Sequence, residues 1–509
     1  MQNFQFFSPP KSITQALKNL KTKNSSYWEK QGERAVLSLF NFTAKTTPAY
    51  RKFLKEHNIK PSQIKSIQDF QKLPLTNKDL YLRKYDYLDL FPNRDISRAT
   101  TFSATSGSTG EPFYFPRGEE QDSQYEYVAE LFLKNQFNIE SKTTLGLLGF
   151  GLGIWIGGIF TYKNFNKIAQ KGYNLSLIPV GPNKELYLKS LEKFGRLFDQ
   201  VLLMGYPPFI KDVIDEAPLY GINWRNYNVK ILTATEHFSE EFRKYLAQKT
   251  FLKNPYTDII NIYGTVELGT MAHETPLSNL IRKIAVQKPA VFRELFPYMH
   301  RVPTLAQYHP SILHFEQVEE EVIASGFGSS IPLLRYRFPD RGGVIPFDKM
   351  LKKLNTGGID ILQIARAAKI EHTIFRLPFV YVYERSDFAT TLFGINIYSE
   401  YIRNALSHRT VRGYVTGKST MITKNDKNQD QFLEVNVELK KDIKPTRELR
   451  KLTQKAIIRI LMLNSTEYQY LYNNDPKTYE KRLTPHIILW PYEHPTYFSI
   501  GTKQRWVKK

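Results

Sequence analysis

The chain has 509 residues, of which 41% are hydrophobic and 14% aromatic, a composition that supports large cores and roughly two to four domains. Cysteine is absent, which excludes disulfides, thiolate metal sites and any mechanism that loads an acyl group onto a Cys of this chain. The formal net charge is +22, from 71 Lys and Arg spread along the chain without a long basic run, so the charge either awaits an anionic partner or solvates the surface.

The opening MQNFQFFSPPKS has no basic segment followed by an apolar one, so no secretory signal is expected and the expected location is cytoplasmic. The first hundred residues alternate amphipathic helical stretches, such as SITQALKNLK and EKQGERAVLSLFNFTAKT, with turn signals. The stretch 101–115, TFSATSGSTGEPFYF, follows. Thr105, Ser106, Ser108 and Thr109 supply hydroxyls, while Gly107 and Gly110 let backbone N–H groups converge, as a polyphosphate cradle requires. The alternative is a flexible Ser/Gly linker.

Residues 143–162, TTLGLLGFGLGIWIGGIFTY, are uncharged and long enough for a membrane span. Their glycines disfavour one continuous helix, and a strand, a glycine-rich loop and a buried helix start are expected instead. Beyond, TLGLLGFG, SLIPVG, QVLLMGY, VKILTATE and DIINIYG read as buried strands, with SLEKFGRLFDQ, PFIKDVIDEA and SEEFRKYLAQK as helices between them. That alternation predicts α/β layers. Residues 277–310 read as a helical insertion, ILHFEQVEEEVIAS as one half-exposed strand, and 347–368 as a second helical patch. After FVYVYERSDF the texture changes to β-α-β with long polar turns, placing a boundary near Asp387.

Several motifs fail on spacing. GYVTGKST has three residues between its glycines, one short of a phosphate-binding loop, and GFGLGIWIGG lacks the order of a dinucleotide site. DKNQDQF begins like a calcium loop, but Gln431 stands where the turn glycine belongs. Each reads as a turn.

One ordered set remains: TSGSTGEP, GFGLGIWIGG, TATEHFSEEFR, NIYGTVE, LLRYRFPDRGG, YERSDFATTLFGINIY and a terminal GTKQR, with the lead-in FQKLPLTNKDLYLRKY. In this order the chain resembles the adenylate-forming superfamily, in its phenylacetate–CoA ligase-like branch, over most of its length. The resemblance implies a large multi-layered N-terminal α/β domain (1–386) that binds ATP and carboxylate, and a small mobile α+β C-terminal domain (387–509). It also implies that Thr105, Ser106, Gly107, Ser108, Thr109 and Gly110 wrap ATP phosphates. Tyr263 stacks on adenine beside Gly264 and Thr265, backbone near Thr235, Glu236 and His237 reads the base edge, and Glu267 holds Mg²⁺. Asp340 accepts from the ribose with help from Arg385, Asp387 is the hinge, and Lys503 serves catalysis at the α-phosphate.

For three of these, plainer alternatives stay open: Tyr263 as core, Asp340 as a turn residue, Glu267 as a helix cap. Phe150, Trp155 and Ile156 suggest an apolar acid pocket or core packing. Departures from the family pattern are Glu111 for a usual Lys, Val266 for Thr or Ser, Glu384 for Gly, and Lys503 two residues before Arg505 rather than three. The implied reaction is ATP-dependent activation of a small carboxylic acid followed by transfer to coenzyme A. The runner-up transfers the acyl group to a carrier-protein thiol or an amine. A reading from another class is a basic, non-enzymatic polyanion-binding protein, against which stands the lack of a nucleic-acid module. No membrane span is expected, and the 277–310 insertion either covers the pocket or mediates a homodimer.

Overall fold

The computed structural model describes residues 7–104, 112–297, 302–328, 330–385 and 389–498. The loop Thr105, Ser106, Gly107, Ser108, Thr109 and Gly110, together with Asp387 and Lys503, lies outside them. The N-terminal helices Ile13–Thr22 and Ser25–Thr46 start at Ser12 and Asn24, whose side chains accept from the N–H groups of Gln15 and Tyr27, satisfying otherwise orphaned donors. Their apolar faces, including Leu20, Trp28, Val36 and Phe40, join one core with the antiparallel half of the main sheet.

Strands β1 (Thr101–Ala104) and β2 (Tyr114–Arg117) form an antiparallel hairpin on either side of the hydroxyl-rich loop. The main sheet begins with β3 (Thr144–Leu148), β4 (Leu175–Ile178), β5 (Gln200–Gly205), β6 (Val229–Ala234) and β7 (Ile259–Thr265), all parallel. Helices Ile156–Gln170, Lys184–Phe194, Pro207–Glu216 and Glu240–Lys249 alternate with them. Successive strand residues point to opposite faces. Leu145, Leu147, Val201, Leu203 and Ile231 therefore enter one core, and Leu148, Leu202, Met204, Leu232 and Ile260 another. Burial on both faces is why these strands read as unbroken apolar runs.

The sheet continues through β8 (Gly269–His273), β9 (Thr304–Gln307), β10 (Leu313–Val318), β11 (Glu321–Gly326), β12 (Leu333–Ile345) and β13 (Phe379–Arg385). Its order is β10-β11-β12-β13-β9-β8-β7-β6-β5-β3-β4. Two expectations are corrected here. Among the described residues the 277–310 insertion is helical over Pro276–Gln287 and Pro289–Leu295 and ends in β9, which pairs with β13 some seventy residues on. ILHFEQVEEEVIAS is a hairpin of two strands, reversing at Glu319, whose φ is 55°. The apolar 143–162 stretch divides into β3 and the start of helix Ile156–Gln170, and no helix among the described residues is long and apolar enough to cross a membrane. The two helical patches, 276–295 and Phe347–Ala367, pack together against β9, β12 and β13.

The C-terminal domain holds a hairpin of β14 (Ala389–Leu392) and β15 (Ile395–Tyr398), then β16 (Val415–Asn425), β17 (Gln431–Leu439) and β18 (His486–Trp490), with helices Ser399–Leu406, Arg447–Asn464, Thr466–Asn474 and Pro476–Leu483. Its apolar side chains join the core under the parallel half of the sheet. The β14–β15 hairpin reverses on Phe393 and Gly394 at φ 51° and 79°, the pair of positive values that a mirror-image two-residue turn needs.

Candidate active site

A cleft of about 810 Å³ lies between the large sheet and the C-terminal domain. It opens beyond the carboxyl ends of β3, β5, β6 and β7, where crossover connections diverge and parallel sheets place their ligands. After β3 come Gly151, Trp155 and Ile156; after β5, Tyr206; after β6, Thr235, Glu236 and His237; at the end of β7, Tyr263, Gly264 and Thr265. Asp340 enters from β12. Residues far apart in sequence thus meet on one wall.

Local geometry explains several identities. The Tyr263 hydroxyl donates to Asp340 Oδ2 at 2.7 Å, so the two residues chosen separately from the sequence are directly coupled. A Cβ on Gly264 would lie 2.6 Å from the Gly269 carbonyl oxygen across the β7–β8 hairpin, which leaves no room for another residue. Thr235 has φ 77°, a region costly for a β-branched residue. The loop is held from beneath: Asn261 Nδ2 donates to the Glu236 carbonyl at 2.9 Å and Arg282 Nη2 to the Phe238 carbonyl at 2.6 Å. Both lead to Glu274, which is fully buried. Its carboxylate accepts from Arg243 at 2.8 Å, from Arg282 at 2.5 Å and from the Asn261 N–H at 2.9 Å.

Glu267 sits in the turn between β7 and β8 and is followed by a strand, so it caps no helix. It is buried and adjoins Thr265 and Val266, which line the cleft. Its neighbour is Arg117 at the end of β2. Burial lowers the Arg117 pKa to about 10, against the opposing charges of Glu267 and Asp122. The Arg117 guanidinium donates to the carbonyls of Val266 and Gly328, fastening the strand after the hydroxyl loop to the turn bearing Glu267. Arg385 pairs in register with Asp340.

Phe150 takes its core-packing alternative. It is buried in the core with its ring edge on Tyr206, 5.8 Å between centroids, and is absent from the cleft wall, whereas Trp155 and Ile156 line it. Tyr206 accepts from the Gly151 N–H at 2.6 Å, and burial raises its pKa. Not anticipated from the sequence were Asn261, Tyr206 and a set from the C-terminal domain: Gly394, Gln431, Glu467 and Tyr470. Gly394 donates its N–H to Glu236. A Cβ there would fall 2.9 Å from both Thr235 Oγ1 and Tyr206 Cδ1, so the hairpin tip approaches this closely only as glycine.

No family model matches the chain. A curated relative, phenylacetate-coenzyme A ligase of Aromatoleum evansii, is 20% identical over 304 residues, 59% of this chain and 62% of that protein. The match thus spans less than two thirds of the relative's length. The structure of 2-hydroxyisobutyryl-CoA ligase with 2-HIB-AMP and CoA in its thioesterification state superposes over 100% of this chain and 95% of its own, with TM-score 0.63 at 14% identity. The fold is that of the adenylate-forming enzymes. The same ligase in its postadenylation state with 2-HIB-AMP, over the same share of each chain, reaches TM-score 0.53 at 13% identity. By that measure the chain superposes better on the thioesterification-state structure than on the postadenylation-state one.

Proposed function

We propose that the chain is an ATP-dependent carboxylate ligase of the AMP-forming type, which activates an organic acid as an acyl-adenylate and then passes the acyl group to coenzyme A. The observation that carries this reading is the convergence of Tyr263, Asp340 and the 235–237 segment on one cleft at the carboxyl ends of the parallel strands. Its volume falls within the usual range for small-molecule sites. The named activities of the similar proteins lend support.

In this reading the Tyr263 ring carries the adenine and Asp340 accepts from the ribose. Trp155 and Ile156 face the acyl portion. The acid's oxygen attacks the α-phosphorus and the bond to pyrophosphate breaks, with Lys503 stabilising charge that develops there. Among the described residues no three His, Cys, Asp or Glu gather as a metal site. The single carboxylate of Glu267 beside the cleft suits Mg²⁺, an ion normally held by one or two carboxylates together with phosphates and water. When bound, Mg²⁺ would neutralise phosphate charge.

A second reading, transfer to an amine, is favoured by the acidic lining contributed by Glu241 and Glu467, which suits a cationic acceptor. The test has two stages. Carboxylate-dependent exchange of labelled pyrophosphate into ATP establishes activation, and a panel of thiol and amine acceptors then separates the readings. Lys503→Ala is expected to slow exchange by about 10²-fold or more while ATP affinity stays within a few fold, because its charge is used mainly in the transition state. An unchanged exchange rate would remove Lys503 from the chemistry.

Asp340→Ala is expected to act on binding instead. Losing a charged acceptor costs roughly 1.5–3 kcal/mol, so the KM for ATP should rise about 10- to 100-fold with turnover much less affected. A lower melting temperature with an unchanged KM would make Asp340 a structural partner of Tyr263 alone.

A further inference from the structure

We propose that Asp430 and Arg482 are positioning residues. With Lys211 and Asp212 of the large domain they latch the C-terminal domain over the cleft in the arrangement that serves acyl transfer. The inference rests on the ligase reading above and assigns a role to DKNQDQF, the turn that the sequence left without one.

Lys211 and Asp212 are consecutive residues of helix Pro207–Glu216, which starts at the cleft wall beside Tyr206. Both are buried, at 2% and 4% exposure. Lys211 Nζ meets Asp430 Oδ1 at 2.7 Å and Asp215 Oδ2 at 2.6 Å. Arg482, from helix Pro476–Leu483, reaches Asp212 with Nη2 and Asp430 with Nη1, both at 2.8 Å. Charges thus alternate across the seam, two partners from each domain, and Tyr245 donates to Asp215 at 2.7 Å beside them. Burial pushes Asp212 up to about 6, against the opposing charges of Arg482, Lys184 and Lys211, which marks a seam stripped of most of its water.

The turn presenting Asp430 is braced by its own hydrogen bonds. The Asp426 carboxylate accepts from the N–H groups of Asn428 and Asp430 at 2.8 and 2.9 Å, and the Asp426 N–H donates to the Asp430 carbonyl at 2.9 Å. The next residue extends the seam into the cleft. Gln431 Nε2 donates to Glu236 Oε2 at 2.7 Å, and Gln431 Oε1 accepts from the Phe393 N–H at 2.7 Å. The adjoining Gly394 N–H meets the other oxygen of Glu236. One short turn therefore fixes both the ion cluster and the hairpin tip that enters the cleft.

These pairs exist only while the domains are in this arrangement. Their free energy is differential between arrangements, and that is the requirement for shifting a conformational population. Separating the domains breaks these pairs, and rehydration of the freed charges offsets part of that loss. The arrangement they favour is the one that superposes better on the thioesterification-state structure.

The test uses the full chain. Because it has no cysteine, the exposed pair Gln248→Cys and Lys455→Cys can carry two fluorophores without background labelling. Asp430→Asn and Arg482→Ala are expected to broaden the inter-label distance distribution toward longer values. They should slow single-turnover transfer of preformed acyl-adenylate to its acceptor by about tenfold while leaving pyrophosphate exchange within a few fold. Arg482→Lys, which keeps one charge, should restore part of the loss. An unchanged distance distribution in both variants overturns the latch, as does an equal loss of exchange and transfer. If the parent chain exchanges no pyrophosphate, the ligase reading fails, and the distance distributions still decide whether these residues hold the domain.

Discussion

Glu274→Ala is expected to lower the melting temperature by roughly 10 °C or to abolish folding. Two guanidiniums, at 3% and 1% side-chain exposure, converge on this one carboxylate, with Glu240 as their remaining acid at 3.2–3.3 Å. Removing one partner of a buried charge pair typically costs about 3–5 kcal/mol, a large fraction of a domain's total stability, and each kcal/mol is worth several degrees. The damage should extend to function, because the same arginines hold the carbonyl of Phe238 and the backbone of β7 under the proposed base-binding segment. Glu274→Gln keeps the shape and part of the hydrogen bonding, so it should fold with a smaller loss and a raised KM for ATP. Scanning calorimetry or thermal fluorescence on both variants checks this. A Glu274→Ala protein that melts with the wild type would show that the network contributes nothing.

Acid should destabilise the fold well before most carboxylates titrate. His273 and His309 lie buried and His314 is half-buried, and desolvation lowers each to about 4, helped at His314 by the Arg335 charge. Both ring nitrogens of His273 lack a hydrogen-bond partner among the described residues, and His309 sits among the rings of Trp28, Tyr127 and Phe7. The folded state keeps these imidazoles neutral while the unfolded chain protonates them near pH 6.5. Their contribution is therefore complete above that value and is lost as pH falls through 6.5 toward 4. Each imidazole that must charge on unfolding contributes on the order of a kcal/mol or more to this acid sensitivity. Asp212, Glu120 and Glu316 have the opposite sign: burial raises each, which favours the folded state as pH falls and offsets part of the histidine effect. Melting temperature followed from pH 7 to 4.5 should fall steeply, and His309→Phe should remove about a third of the slope. A flat profile would mean that the imidazoles are reachable by solvent.

The parallel half of the sheet was legible because its strands are buried on both faces and so read as continuous apolar runs between helices. The β10–β11 hairpin was not. Three consecutive glutamates interrupt the alternation at VEEEV, but the reversal at Glu319 uses none of the residues that announce a turn. Strand β9 escaped because four residues at the end of a helical stretch become a strand only by pairing with β13, which local pattern does not encode. The site divides in the same way. Thr235, Glu236, His237, Tyr263, Gly264, Thr265 and Asp340 stand in recognisable motifs, and the fold brings them to one cleft. Glu274, Gln431, Tyr470 and Arg482 matter through partners up to 270 residues away, Arg482 with Asp212 being the longest reach, and they carry no local signal. Phe150 and Trp155 come from one glycine-rich run, and only the strand end at Leu148 decides which faces the core and which the cleft.

The contact between Trp155 of the large domain and Tyr470 of the C-terminal domain, 4.4 Å between ring centroids, gives the seam a thermal character. Trp155 and Tyr470 are half-buried, and the Phe393 ring at the hairpin tip is withdrawn further, at 1% exposure. A rotation that parts the domains wets these rings, so the parted form has the higher heat capacity. Apolar association weakens on cooling, while the ionic pairs beside it do not share that dependence. The balance between arrangements should then follow a curved van 't Hoff line, with the domains held together less firmly in the cold. Under the proposed reaction, a preparation studied on ice and one studied at 37 °C would differ in how they divide their time between forming an intermediate and handing it on.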